Sequence, residues 1–313
     1  MNEPVAYVNG AFVAEAQAGI SIFDRGFRFA DTVFDTARTV RHRPYKFRDH
    51  LERLWQSLAY ARIDPGLSMD ALERITLEVV ERNLALIAPN DDLWVRQFVT
   101  RGAVKRVGGA GVGGPTVVVT TDRLPFASFA KAYRLGIPMI VPSVRAVPVE
   151  ALDPRMKTAS RMTQNLAEQE VAAIDPSAYA LLLDTEGYVS ESTGANFFAV
   201  VGGTVLTADD GAVLHGISRR TVMELAASLG LPCRSARLSL FDIANAEEAF
   251  ITGTSYCLLP VRSINGRTLS RAVPGPVTRA LTGAWGSAIG HDFVAQALSH
   301  LPADERAALA AAE

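Results

Sequence analysis

The chain has 313 residues, of which 49% are hydrophobic, 20% charged and 8% aromatic. That is ample for a large core and excludes a disordered chain, and the length predicts two domains of about 150 residues each. Lys plus Arg number 31 against 33 Asp plus Glu, a net charge of -2, so no basic excess draws the chain to nucleic acid or to anionic membranes.

Val5 to Val13 reads as a hairpin, because Asn9-Gly10 supplies the two positive-φ residues of a type I′ turn. Residues 47–62 place Leu51, Leu54, Trp55 and Leu58 on one helical face, and residues 69–84 repeat the pattern with Leu72, Ile75 and Val79 behind a Ser68 cap. Residues 94–100 and 116–121 are strand-like. Pro125 and the mixed stretch to Leu135 mark a linker, dividing the chain into an N-terminal domain over 1–124, a linker over 125–135 and a C-terminal domain over 136–313. The second part alternates strands (137–144, 178–183, 196–206, 248–254 and 258–269) with a helix at 160–173 and another from Ser218 that Gly230 and Pro232 end. Residues from Pro302 onward read as a surface helix. The fold class is α+β.

Cys233 and Cys257 form no Cys-x-x-Cys and no Cys/His cluster. They predict neither a disulfide framework nor a metal site and read as buried small hydrophobes. The first residues, Met1-Asn2-Glu3-Pro4, lack the basic and apolar regions of a secretion signal, and no apolar run approaches the ~18 residues of a membrane span. A cytoplasmic protein without membrane contact is expected.

Gly109-Ala110-Gly111-Val112-Gly113-Gly114 matches G-x-G-x-x-G literally. A dinucleotide turn must feed a helix, however, and Pro115 with a valine-rich strand follows, so this is read as a loop between strands. The lysines are more informative: only Lys46, Lys105, Lys131 and Lys157 stand beside 27 arginines. Lys46 and Lys131 read as solvated charges. Lys157 precedes a helix, and downstream Glu191 lies in the small-residue stretch Ser190-Glu191-Ser192-Thr193-Gly194-Ala195-Asn196. Gly216-Ile217-Ser218 opens a helix whose free backbone N–H groups can hold a phosphate, Gly253-Thr254-Ser255 offers hydroxyls, and Arg53 lies on the first helix. An amine for an imine, an acid for a ring nitrogen, and an arginine with a helix N-terminus for a phosphate are what pyridoxal phosphate requires.

Ser21-Ile22-Phe23-Asp24-Arg25-Gly26, His50-Leu51-Glu52-Arg53-Leu54, Lys157, the 191–198 segment, Gly216-Ile217-Ser218 and Thr252-Gly253-Thr254-Ser255 together resemble the class IV, fold type IV, pyridoxal-phosphate enzymes, from about Tyr7 to Ala284. The family includes D-amino-acid and branched-chain aminotransferases, R-selective amine transaminases and aminodeoxychorismate lyases. The resemblance implies a smaller N-terminal α/β sandwich and a larger C-terminal pseudo-barrel domain, with pyridoxal 5'-phosphate at the domain interface. It implies that Lys157 binds the cofactor covalently and shuttles the proton, and that Glu191 pairs with the pyridine nitrogen. Arg53, Ile217, Ser218 and Thr254 would hold the phosphate, with Asn196 and Ser255 completing the cofactor contacts. It also implies a homodimer, with Phe29 to Arg38 facing the partner subunit.

The same resemblance divides over the substrate. Arg106 follows Arg101-Gly102 where D-amino-acid enzymes carry a carboxylate-binding arginine, but Gly108 stands where they have a histidine and Phe34 where they have a tyrosine. Trp94, Arg96 and Arg38 resemble the branched-chain pattern with its tyrosine replaced by Trp94. Thr36 and Arg161 resemble the lyases, in which the threonine takes part in pyruvate elimination. The expectation is a ping-pong transaminase moving an amino group from a D-amino acid or R-amine to a 2-oxo acid. Phe34, Thr36, Arg38, Trp94, Arg96 and Arg106 are the candidate substrate residues, with the branched-chain aminotransferase and the lyase as alternatives.

Overall fold

A computed structural model describes residues 3–103, 113–269 and 272–311. Contacts divide the chain into two compact units, Met1–Leu124 with Met156–Arg161, and Pro125–Arg155 with Met162–Glu313.

The first unit is an antiparallel sheet of six strands, β1 (Val5–Val8), β2 (Ala11–Ala14), β3 (Thr32–Val40), β4 (Arg43–Pro44), β5 (Leu93–Thr100) and β6 (Thr116–Arg123), in the order β2-β1-β6-β5-β3-β4. Asn9 and Gly10 have φ of 47° and 97°, the left-handed pair that the β1–β2 turn demands. A short helix α1 (Arg25–Phe29) precedes β3, and α2 (Phe47–Ala61) and α3 (Met69–Leu84) cover one sheet face. Leu51, Leu54 and Leu58 of α2 and Leu72, Val79 and Val80 of α3 pack there with Val33, Ala37, Val95, Val99, Val117 and Val119. The Ser68 hydroxyl accepts from the Ala71 N–H and caps α3. Alternation then sends Phe34 and Thr36, with Trp94, Arg96 and Phe98, to the opposite face, where they are only half-buried.

The 156–161 segment joins this unit by pairing with β3. The Phe34 N–H donates to the Lys157 carbonyl at 3.0 Å, the Ala159 N–H donates to the Thr32 carbonyl at 3.1 Å, and Thr158 bridges Val33. Lys157 is thereby fixed beside the start of β3 by backbone bonds.

The second unit opens with one-turn helices α4 (Phe126–Phe129) and α5 (Ala132–Leu135), which occupy the stretch read as a linker and bury Phe126, Phe129 and Tyr133. Its sheet holds β7 (Ile137–Ile140), β8 (Tyr179–Leu183), β9 (Val189–Ser192), β10 (Asn196–Val201), β11 (Thr204–Thr207), β12 (Cys233–Ser235), β13 (Glu248–Gly253), β14 (Cys257–Ile264) and β15 (Arg267–Thr268). The order is β12-β11-β10-β13-β14-β7-β8-β9, with β15 on β14. A Ser192–Ala195 bridge brings β9 back beside β10, so the sheet curls on itself. The helices of this unit are α6 (Met162–Ile174), α7 (Ile217–Ser228), α8 (Leu240–Ala244), α9 (Pro276–Ile289), α10 (Phe293–Ser299) and α11 (Ala303–Ala311). Of these, α6 packs on β8, and α7 and α9 lie against β13.

Several expectations need adjusting. The run 196–206 is two strands, because Gly202 and Gly203 at positive φ turn the chain between β10 and β11. The strand expected over 137–144 ends at Ile140, just before Pro142. The helix expected from Ser218 begins at Ile217. Cys257 is buried but Cys233 only half-buried. Among the described residues, no helix is long and apolar enough to cross a membrane.

Candidate active site

In the first unit the Lys157 side chain reaches over the half-buried sheet face, its Nζ 4.7 Å from the centre of the Phe34 ring. Phe34 is stacked on Phe98, its partner across β5, with centroids 5.5 Å apart and planes within 15°. The Lys157 backbone is held from a third direction, since its N–H donates to the Oγ of buried Ser57 on α2 at 3.1 Å. The amine is therefore presented over an aromatic floor by an anchored backbone.

Behind this floor, on the helix side of β3, lies a buried charge cluster. Asp35 is fully buried. Its Oδ1 accepts from His50 Nδ1 at 2.7 Å and from Arg53 Nη2 at 2.8 Å, and its Oδ2 accepts from Arg53 Nε at 2.8 Å. His50 and Arg53, three residues apart on α2, face one side of that helix and so converge on one carboxylate. Burial alone would raise the Asp35 carboxyl, but the Arg53 guanidinium and the His50 ring hold it far below the usual carboxylate range. Burial pushes the His50 ring down against the pull of Asp35, and the charges of Arg53 and Lys157 add to the depression. The result is a guanidinium locked by two parallel bonds, which fixes the direction Arg53 presents.

In the second unit, Glu191 on β9 is oriented by two donors. Asn196 Nδ2 and the Leu214 N–H each approach Glu191 Oε2 at 3.1 Å, and Asn196 Nδ2 also donates to the Leu214 carbonyl at 2.9 Å. This lock depends on Gly216, where a Cβ would stand 2.1 Å from Asn196 Oδ1. Gly216 is also the cap residue of α7 and has no side chain to satisfy the helix's first N–H groups. The N–H groups of Ile217 and Ser218 are thus available to an anion, which the helix dipole favours. Thr254 and Ser255 follow β13 in a tight turn. There the Tyr256 carbonyl accepts from the Leu258 N–H and from the Tyr133 hydroxyl, both at 2.7 Å, with Cys257 at the strained φ of 61°.

The first unit thus brings Lys157, Phe34, Asp35, His50 and Arg53 together, and the second Glu191, Asn196, Ile217 and Ser218. An amine, an oriented carboxylate, a fixed guanidinium and an uncapped helix N-terminus are donors suited to a phosphorylated pyridine aldehyde. Thr36, Trp94 and Arg96 line the same sheet face as Phe34. Arg38 does not project free: it is 2% exposed, its Nε donates to the Thr39 carbonyl at 2.9 Å, and its Nη2 lies 3.6 Å from Asp92. Arg106 and most of the glycine-rich stretch lie outside the described residues. Sequence reasoning missed Asp35 and His50 as supports, although the His50-x-x-Arg53 spacing was the available signal.

The model of the amino-transferase class IV family matches residues 32–264. A Methanocaldococcus jannaschii protein with a provisional branched-chain-amino-acid aminotransferase name is 33% identical over 283 residues, covering 88% of this chain and 93% of its own. The D-alanine aminotransferase of Bacillus licheniformis is 28% identical, covering 87% of this chain and 92% of its own. Among solved structures, the branched-chain amino acid aminotransferase of Escherichia coli has a TM-score of 0.82 at 25% identity, covering 91% of this chain and 94% of that one. Another branched-chain amino acid aminotransferase, solved with pyridoxamine 5'-phosphate, has a TM-score of 0.79 at 27% identity, covering 92% of this chain and 95% of that one.

Proposed function

Because the chain belongs to the class IV aminotransferases, we propose that it moves an amino group from an apolar amino acid to a 2-oxo acid, with pyridoxal 5'-phosphate as cofactor. The observation that carries this reading is the Lys157 amine standing over the stacked Phe34 and Phe98 rings. When bound, the cofactor supplies an electron sink that makes the α-carbon of an amino donor acidic. Lys157 Nζ binds the cofactor and carries the proton away from the donor's α-carbon. Glu191, aligned by Asn196 and Leu214, keeps a proton at the ring nitrogen. Arg53, steered by Asp35, and the backbone of Ile217 and Ser218 bind the phosphate, with Thr254 and Ser255 as hydroxyl donors. Phe34 and Phe98 favour an apolar donor side chain.

Branched-chain aminotransferases among the relatives and structural neighbours support this substrate class. A second reading, a D-amino acid or R-amine donor, is favoured by the D-alanine aminotransferase relative and by the sequence position of Arg106. The lyase reading rests on the sequence positions of Thr36 and Arg161. A homodimer is supported by Ile22, Phe27 and Phe29, which are 67%, 69% and 57% exposed on one short segment, an apolar cluster suited to a partner subunit.

A half-reaction screen on the cofactor-loaded enzyme separates these readings. L-leucine should convert the cofactor absorbance fastest, ahead of D-alanine and R-1-phenylethylamine. Fastest conversion by D-alanine would establish the second reading, and pyruvate release from aminodeoxychorismate without any conversion would establish the lyase.

A further inference from the structure

Helix α2 carries more than the phosphate arginine. His50, Arg53 and Ser57 recur along it at intervals of three and four residues, so they share the helix face turned toward β3. All three are buried, Ser57 to 1% exposure, on a helix whose Leu51, Leu54 and Leu58 build the core. A hydroxyl placed there is costly unless it is bonded. His50 and Arg53 converge on Asp35, whereas the Ser57 Oγ accepts the Lys157 N–H at 3.1 Å. On its other side the Lys157 carbonyl accepts the Phe34 N–H at 3.0 Å. The backbone of Lys157 is thus held by a helix at its amide and by a strand at its carbonyl.

We infer that Ser57 is a positioning residue for the reaction, one that aims the Lys157 amine by holding its backbone. The inference rests on the proposed role of Lys157 and extends it to the residue that sets where Nζ stands. Without the Ser57 bond the segment keeps its strand bonds to β3, and Met156 still packs against the core. Apolar packing is non-directional, however, and leaves the Lys157 peptide free to turn about the strand. At the end of a side chain about 6 Å long, a turn of about 10° carries Nζ about 1 Å from its place above Phe34, and a misplacement of that size can cost up to about 100-fold in rate. Proton transfer by the amine follows donor binding, so the loss belongs to kcat and leaves the donor KM unchanged. Arg53 keeps its bonds to Asp35 throughout, so the phosphate contact is not the part that fails.

The test compares Ser57→Thr and Ser57→Val, two variants of the same shape that differ by the hydroxyl, alongside Ser57→Ala. Two quantities are measured. One is steady-state turnover of the cofactor-loaded enzymes with whichever of L-leucine, D-alanine and R-1-phenylethylamine the wild type uses fastest. The other is the rate at which cofactor-free protein takes up pyridoxal 5'-phosphate on Lys157, read by mass spectrometry after borohydride reduction. Ser57→Ala and Ser57→Val should lower kcat and the labelling rate about ten-fold, with the donor KM within about two-fold of wild type. Ser57→Thr should recover most of both, and Ser57→Cys, a weaker acceptor of similar size, should fall between. Equal rates for Ser57→Thr and Ser57→Val, or Ser57→Ala within about two-fold of wild type in both measurements, would overturn the role of Ser57. A wild type that carries no label on Lys157 would instead overturn the underlying function, so the two can fail independently.

Discussion

Replacing Asp35 by Asn keeps the side chain's shape and removes its charge from a site with no solvent exposure. In the wild type that charge answers one guanidinium through two bonds at 2.8 Å and one imidazole at 2.7 Å. A hydrogen bond to a charged group contributes about 1.5–3 kcal/mol, but three bonds sharing one carboxylate do not add. The better guide is the cost of breaking a buried pair, about 3–5 kcal/mol, because Arg53 is 6% exposed and cannot recover its hydration without moving. The asparagine amide also turns a donor toward the guanidinium. Asp35→Asn should therefore lower the unfolding free energy of the cofactor-free protein by about 3–5 kcal/mol in a urea titration followed by circular dichroism, with the slope unchanged. Inorganic phosphate should restore part of the loss, because an anion on Arg53 replaces the missing charge. A loss below about 1 kcal/mol, the range of an exposed pair, would refute the reasoning.

Acid should destabilise the protein in two stages. The His50 ring is depressed below its unfolded value of about 6.5, so the unfolded chain binds the extra proton first and stability falls as the pH drops below about 6.5. Asp35, also depressed, adds a second loss below about pH 4. Urea titrations between pH 8 and pH 4 should show the first slope in the wild type and a weaker one in His50→Gln, and equal slopes would remove His50 from the account. Gly216→Ala should force Asn196 off Glu191 and weaken cofactor binding at least ten-fold at a stability cost of about 1–3 kcal/mol, read by equilibrium dialysis and thermal melting. An unchanged affinity would mean that Glu191 is held by other groups.

Elements built from local pattern were legible in the sequence. The Asn9-Gly10 turn, the leucine faces of α2 and α3, and the Ser68 cap each follow from a few neighbouring residues. The strand β3 was not, because Asp35 and Arg38 interrupt its apolar alternation and are neutralised by His50, Arg53 and Asp92, which are distant in sequence. Likewise Lys157 stood out by the scarcity of lysine and by motif order. Its pairing with a strand more than a hundred residues earlier is a non-local bond that no periodicity announces. Glu191 was visible as a lone acid among small residues, but its orientation required the close approach of Asn196 to Gly216. The α9 helix escaped notice because Gly283 and Gly286 lower the helix propensity of its middle and Thr278 stands on the face that Leu281 and Trp285 bury.

The central claim is that Lys157 is the amine on which the chemistry runs. The protein incubated with pyridoxal 5'-phosphate, reduced with borohydride and digested should carry a single pyridoxyl label, found by mass spectrometry on the peptide containing Lys157, and Lys157→Ala should carry none. A label on Lys46, Lys105 or Lys131, or one that persists in the variant, would contradict the account.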